Sequence, residues 1–208
     1  MMIVIGVVGG VASGKSLVSD HLRRLGAALL DADRAGHEVL RELEVMAAAR
    51  KRWGDGIFGP DGQIDRRQLA QIVFAPAPRG PDELACLERL THPRITARLR
   101  GQMEELQRQG DCPAVVLDAA LLFEAGWDAL CDTIVYVDAP RELRLARARQ
   151  RGWSDAEFAA RETAQGQLED KRKRAHVIVD NSLSPEHTYQ QLRQIWRSLM
   201  SRVAAARQ

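Results

Sequence analysis

The sequence predicts an α/β fold built on a five-stranded parallel sheet. Three observations carry that expectation: five short apolar runs rich in β-branched residues, helical stretches between them, and a glycine-rich turn joining the first run to the first helix. Residues 3–8 (I-V-I-G-V-V) are continuously apolar, the pattern of a strand covered on both faces. Residues 15–25 follow with Val18, Leu22 and Leu25 at helical spacing, and Gly26 ends that helix. Residues 27–31 (A-A-L-L-D) read as a second strand. From about 33 to 109 strand signals vanish. Leu69, Ile72 and Val73 make one helical stripe, Leu84, Leu87 and Leu90 a second, and Ile95, Leu99, Met103 and Leu106 a third. Gly/Pro-rich stretches at 53–62 and 75–81 separate them, and His92-Pro93 is expected to interrupt the last two. Residues 113–118 (P-A-V-V-L-D) and 133–138 (T-I-V-Y-V-D) are strands three and four. A polar helix over 141–150, a polar and basic stretch over 152–174 and a fifth strand at 176–180 follow. The last helix carries Leu192, Ile195, Trp196 and Leu199 on one face, with fraying expected beyond about Met200.

Composition narrows the function. The 208 residues include 30 Lys+Arg against 28 Asp+Glu, a net charge of +2, too balanced for a dedicated nucleic-acid binder. No run approaches the roughly 18 apolar residues of a membrane span. Cys86, Cys112 and Cys131 are an odd, dispersed set, which fits reduced thiols and a cytoplasmic chain. The five histidines lack metal-ligand spacing, and Trp53, Trp127, Trp153 and Trp196 are expected to be packing residues. No nucleic-acid or membrane partner is expected. The sequence does not set the oligomeric state, though a monomer is favoured.

The strongest motif is Gly9-Gly10-Val11-Ala12-Ser13-Gly14-Lys15-Ser16, a G-x-x-x-x-G-K-[ST] loop entered from a strand and left by a helix. Its glycines let backbone N–H groups surround phosphate oxygens, and the helix N-terminus favours anions. Gly10, Val11, Ala12, Ser13, Gly14, Lys15, Ser16 and Leu17 are the expected nucleotide-binding residues, with Lys15 reaching the β- and γ-phosphates and the Ser16 hydroxyl on Mg²⁺. The chain is thus expected to bind a nucleoside triphosphate. Asp31 and Asp33, placed on one side of an extended segment, are alternative candidates for a general base and a helix cap. Asp118 ends the third strand as a second Mg²⁺ carboxylate would, whereas Asp138 leads into a helix start and is given no role. Arg144, Arg147 and Arg151 share one helical face and suit a phosphoryl transition state. The run Lys171-Arg172-Lys173-Arg174 reads as a solvent-facing edge.

Taken in order, these residues resemble the dephospho-coenzyme A kinase family over nearly the whole chain. The family's G-G-I-G-S-G-K-S loop stands here as Gly9 to Ser16, and its D-A-D signature as Asp31-Ala32-Asp33. Further along come W-G-D-G-I from Trp53, D-G-Q-I-D-R-R-Q-L-A from Asp61 with Val73-Phe74, and His92-Pro93-Arg94-Ile95. A-L-L-F-E spans Ala120 to Glu124, and late elements are Gln165, Glu169, Lys171-Arg172 and Asp180-Asn181. The resemblance implies a three-layer P-loop kinase fold with an inserted helical substrate subdomain and a lid. Its core would be about 1–32, 111–151 and 175–200, the CoA-binding insertion about 33–110 and the lid about 152–174. The implied reaction moves the γ-phosphoryl group of ATP, with Mg²⁺, to the ribose 3′-hydroxyl of dephospho-CoA. Asp33 becomes the base or hydroxyl orienter. Lys15 and Arg147 act on the phosphates, with Arg151 left as the alternative lid arginine. Asn181 lies near adenine, and Arg66, His92, Leu122 and Glu124 meet the acceptor. Ala12, Leu17 and Ala120 depart from the family's usual Gly, Thr and Pro, the first at a cost only if that position needs a positive φ. Another P-loop nucleoside or nucleotide kinase, or a non-catalytic NTP-binding module, stays open as an alternative.

Overall fold

The computed structural model describes residues 2–166 and 168–205. The chain forms two compact units, one of Met1–Asp31 with Gln102–Gln208 and one of Ala32–Gly101.

The first unit holds a five-stranded, all-parallel sheet in the order β2-β3-β1-β4-β5, with β1 at Ile3–Gly9, β2 at Ala28–Asp31, β3 at Ala114–Asp118, β4 at Thr133–Asp138 and β5 at Val177–Asp180. The expected sheet is found. Alternation along β1 sorts the layers: Ile3, Ile5 and Val7 pack on α1 (Lys15–Arg24) and α9 (Pro185–Ala205) through Val18, Leu22, Leu192 and Leu199. Gly6 points the other way, where a methyl group would stand 2.9 Å from Cys131 Sγ and 3.0 Å from Leu122 Cδ2. Register brings the strand ends level: Val7 and Asp31 both pair with Asp118, Gly9 pairs with Val137, and Asp138 pairs with Asp180. Ligands of open parallel sheets bind at this carboxyl edge.

After β4, α6 (Arg141–Gln150) matches the expected polar helix. The following stretch is two further helices, α7 (Asp155–Ala164) and α8 (Leu168–Arg174). Ser154 caps α7 by accepting from Glu157 N–H while Glu157 accepts in turn from Ser154 N–H. Phe158 of α7 is fully buried with Val11, Ala12 and Ala148, so one aromatic anchors a helix whose composition is otherwise polar. α9 continues to Ala205, past the fraying point expected near Met200, because Val203 is buried in the same core. The last three residues lie outside the described ones.

The second unit is helical: α2 (Ala32–Val39), α3 (Leu43–Trp53), α4 (Arg66–Val73) and most of α5, which runs as one helix from Arg79 to Gln109. Two expectations are corrected here. His92-Pro93 does not interrupt α5; the helix carries Pro93 inside it, with Thr96 Oγ1 donating to His92 O at 2.8 Å and Arg94 Nη1 to Leu90 O at 3.2 Å. The chain also does not stay extended through Asp33. α2 starts at Ala32, and Asp33 sits in its first turn, where a carboxylate complements the helix dipole. Ala49, Ile57, Leu69 and Val73 centre the core of this unit, with Trp53 packed against it. Trp127, Trp153 and Trp196 likewise pack in the first unit.

Among the described residues no helix is long and apolar enough to cross a membrane.

Candidate active site

The loop between β1 and α1 is built for anion contact. Gly14 is the N-cap of α1 at φ 102°, and a methyl group there would lie 2.1 Å from Asn181 Nδ2. Only glycine fits both the backbone and the space. Ala12 has φ 58°, the single positive φ of a non-glycine among the described residues. The conditional cost at that position is therefore real, of order 1–2 kcal/mol for a left-handed alanine. Lys15 Nζ donates to Gly9 O at 3.3 Å. Ser13 Oγ is buried and has no hydrogen-bond partner among the described residues. Ser16 is exposed in the first turn of α1.

Asp118 Oδ2 accepts from Ser19 Oγ at 3.0 Å, which fixes the strand-end carboxylate beside α1 one turn beyond Ser16. A serine hydroxyl, an oriented carboxylate and phosphate oxygens are the hard oxygen donors Mg²⁺ takes. Ser16 and Asp118 therefore fit that ion, although no cluster of three or more His, Cys, Asp or Glu groups suited to a metal occurs among the described residues.

The outward carbonyls of the loop are capped by α6 and by the turn after β5. Arg147 donates to Ser13 O (3.1 Å) and Asn181 O (2.8 Å), and burial together with nearby Arg151 lowers its pKa. Asn181, 3% exposed, donates from Nδ2 to Ser13 O at 2.7 Å and accepts from Thr188 Oγ1 at 2.8 Å. Arg144 reaches Val11 O at 3.3 Å. Sequence reasoning placed these arginines on one face but not their targets, because spacing carries no information about which carbonyls a loop turns outward.

Two further readings change. Leu122, expected at the acceptor, has a fully buried side chain against Gly6 and is a packing residue. Lys171 does not face solvent: its ammonium is buried, 2.6 Å from Glu124 Oε1 and 3.5 Å from Ala120 O. Next to that pair Arg174 stacks over Phe123 at 4.0 Å and binds Asp128 at 2.7 Å. Arg172, Lys173 and Arg174 are exposed, as expected of a solvated edge, while Lys171 and Arg174 tie α8 to the segment after β3.

In the second unit Asp33 and His37 lie one turn apart on α2, and Arg66 at the start of α4 contacts His37. Asp65 caps α4 by accepting from Arg67 and Gln68 N–H, which orients Arg66. A cavity of about 530 Å³ is lined there by His37, Arg41, Asp61, Gln63 and Arg66. His92 lies in the middle of α5.

A parallel sheet carrying a G-x-x-x-x-G-K-S loop at its carboxyl edge defines a P-loop nucleotide-binding protein, and a shikimate kinase from Acinetobacter baumannii shares the fold at TM-score 0.51, 18% identity, 97% of this chain and 95% of that one. The family model for dephospho-CoA kinase matches residues 3–186. A curated dephospho-CoA kinase of Symbiobacterium thermophilum is 41% identical over 200 residues, covering 95% of this chain and 81% of that protein. The crystal structure of TT1252 from Thermus thermophilus superposes with TM-score 0.79 at 36% identity, over 95% of this chain and 98% of that one. The chain belongs to the dephospho-CoA kinase family, and it is a kinase.

Proposed function

We propose that the chain transfers the γ-phosphoryl group of ATP to the ribose 3′-hydroxyl of dephospho-CoA, giving CoA and ADP in the last step of CoA biosynthesis. The observation that carries this reading is the loop geometry, with Gly14, Lys15 and Ser16 at the start of α1 and Asp118 beside it, in a chain matched from residue 3 to residue 186 by the family. Lys15 holds phosphate oxygens with the loop N–H groups, which concentrates positive charge where the transferred group carries its negative charge. Ser16 and Asp118 would hold Mg²⁺, which when bound neutralises phosphate charge. Asp33 orients the acceptor hydroxyl and takes its proton as the oxygen–phosphorus bond forms, and ADP departs with the electrons of the bond that breaks. Arg147 and Asn181 frame the nucleotide loop. Arg66, His92 and Glu124 serve the acceptor, and the cationic side of the cavity at His37, Arg41 and Arg66 suits its phosphates. Three unpaired thiols support a reducing, cytoplasmic setting.

The test is ADP release from Mg-ATP with and without dephospho-CoA. Stimulation by the acceptor is expected; its absence sinks the proposal. Asp33→Asn is expected to lower kcat by about 10²-fold or more while ATP affinity holds, and full activity in that variant removes Asp33 from its role.

A further inference from the structure

The residue with the least favourable backbone in the loop, Ala12 at φ 58°, lies between the two carbonyls that α6 grips. We propose that Arg144, aimed by Glu162, is a positioning residue of the nucleotide loop: together with Arg147 it holds the carbonyls of Val11 and Ser13 outward and thereby keeps Ala12 left-handed.

The geometry separates this role from transition-state contact. Arg144 is 6% exposed, and each of its three guanidinium nitrogens donates to the protein: Nε to Ala139 O at 3.2 Å, Nη1 to Val11 O at 3.3 Å and Nη2 to Glu162 Oε1 at 2.7 Å. Glu162 is shared with Arg141 at 2.8 Å, and the carboxylate's pKa is lowered because those two guanidiniums together outweigh its burial. Glu162 offsets part of the charge of the two guanidiniums it meets, and the planar fork of Arg144, turned onto protein atoms, fixes direction. Direction is what the loop needs. In a planar trans peptide the C=O and N–H of one unit point opposite ways. Holding Val11 O outward therefore turns Ala12 N–H inward, and holding Ser13 O outward does the same for Gly14 N–H.

Strained residues persist where their surroundings over-determine them. Here the determinants are the Ser13 N–H bond to Gly10 O at 3.0 Å that closes a turn around Val11 and Ala12, these two arginine bonds, the second bond to Ser13 O from Asn181, and the packing of Ala12 with Val11, Ala148 and Phe158. Gly10 adds close approach, since a methyl group there would stand 3.0 Å from Arg144 Nη1. Loss of Arg144 removes one of these determinants, and the apparent nucleotide affinity falls by the fraction of loops whose Ala12 then leaves the left-handed well.

The inference rests on the loop binding ATP, as the proposed function holds. Its test is a double-mutant cycle between Arg144→Lys and Ala12→Gly. It is read in ATP titrations by calorimetry and in separate KM values for ATP and acceptor, with melts confirming that each variant folds. Lysine keeps the charge and loses the fork. Arg144→Lys is expected to weaken ATP binding about tenfold and to leave the acceptor KM within about twofold. Glu162→Gln, which stays isosteric, moves the same way by less. In the Ala12→Gly background, where the left-handed well carries no penalty, Arg144→Lys is expected to cost at least about threefold less. Equal costs in the two backgrounds, wild-type affinity in both Arg144→Lys and Glu162→Gln, or KM values for ATP and acceptor rising together overturn the proposal. A wild-type chain that binds ATP without acceptor-stimulated turnover overturns the proposed function alone; one that binds no ATP overturns both.

Discussion

The α/β unit and the helical unit handle charge in opposite ways. In the α/β unit three buried or half-buried cations reach backbone carbonyls: Arg144 those of Val11 and Ala139 alongside its pair with Glu162, Arg147 those of Ser13 and Asn181, and Lys171 that of Ala120 beside its pair with Glu124. In the helical unit most charged side chains are partly exposed and bind one another. Arg98 bridges Glu38 (2.8 Å) and Glu42 (3.1 Å), and Arg94 reaches Glu44 (3.0 Å). The first arrangement fixes the shape of a loop. The second joins helix to helix through pairs that salt screens and that each contribute little. A site that must present N–H groups in set directions needs the first kind.

The largest expected effect follows from that rigidity. Gly14→Ala puts a methyl group 2.1 Å from Asn181 Nδ2 at φ 102°, and Asn181 is itself held by Ser13 O and Thr188. ATP affinity is expected to fall at least about 100-fold and the fold to lose about 2 kcal/mol or more. In the helical unit Gly36 of α2 would place the same methyl 3.5 Å from Ile95 Cδ1, an ordinary contact. Gly36→Ala is expected to stabilise by about 0.5–1 kcal/mol. Titration and denaturant melts of the two variants check the contrast, and similar losses in both would break it.

Glu83 is the exception within the helical unit and so sharpens the comparison. Its buried carboxylate accepts from Arg52 Nη2 (2.8 Å), Arg52 Nε (2.9 Å) and Trp53 Nε1 (2.8 Å), and those bonds hold its pKa below the ordinary 4.5. Because the folded pKa is the lower one, this stability is complete above the unfolded value and lost as pH falls through the folded value. Glu83→Gln is expected to lower the melting temperature more than Glu44→Gln, where the carboxylate that meets Arg94 is largely exposed. High salt should erase the Glu44 effect and leave most of the Glu83 effect. Thermal melts at two ionic strengths decide it.

The α/β unit has its own titrating weak point, at higher pH. His21 of α1 stacks on Tyr189 of α9 at 4.1 Å, and neither ring nitrogen has a hydrogen-bond partner among the described residues. Burial, then Arg193 and Arg24, push its pKa below 6.5. The neutral ring is the folded form, so stability is complete above about 6.5 and declines as pH falls from there toward the folded value. His21→Phe is expected to keep the stack, gain about 1 kcal/mol by removing unpaired polar atoms, and flatten the stability curve below about pH 6.5. An unchanged pH limb in denaturant melts would count against it.

What sequence could and could not reveal follows the same division. The strands were readable because an apolar, β-branched run such as T-I-V-Y-V-D has one stable environment, and Thr133–Asp138 is the strand found. The nucleotide loop was readable because its glycines and lysine recur at fixed offsets. α2 and α3 went unseen, since A-D-R-A-G-H-E-V and L-E-V-M-A-A-A-R-K-R-W interleave charge with small residues and leave short apolar stripes. α5 was split in two by Pro93, whose local penalty is outweighed by the burial of Ile95, Leu99 and Met103 beyond it. Lys171 looked solvated within K-R-K-R because its partner Glu124 lies 47 residues earlier in the chain. Long-range polar partners leave no local pattern.

The smallest expected effect is the most discriminating about the loop. Ala12→Gly relieves about 1–2 kcal/mol of left-handed strain. Against that, it removes a buried methyl worth about 0.8 kcal/mol and adds about 0.4–1 kcal/mol of unfolded-chain entropy. These effects nearly cancel, so global stability is expected to change by less than about 0.5 kcal/mol in denaturant melts. A gain well above that would mean that the methyl packed against Ala148 and Phe158 contributes little and that relief of strain outweighs the lost packing. A loss of similar size would mean that the arginine bonds on either side of Ala12 already hold the left-handed conformation without cost, leaving only the lost packing and the added chain freedom to be measured.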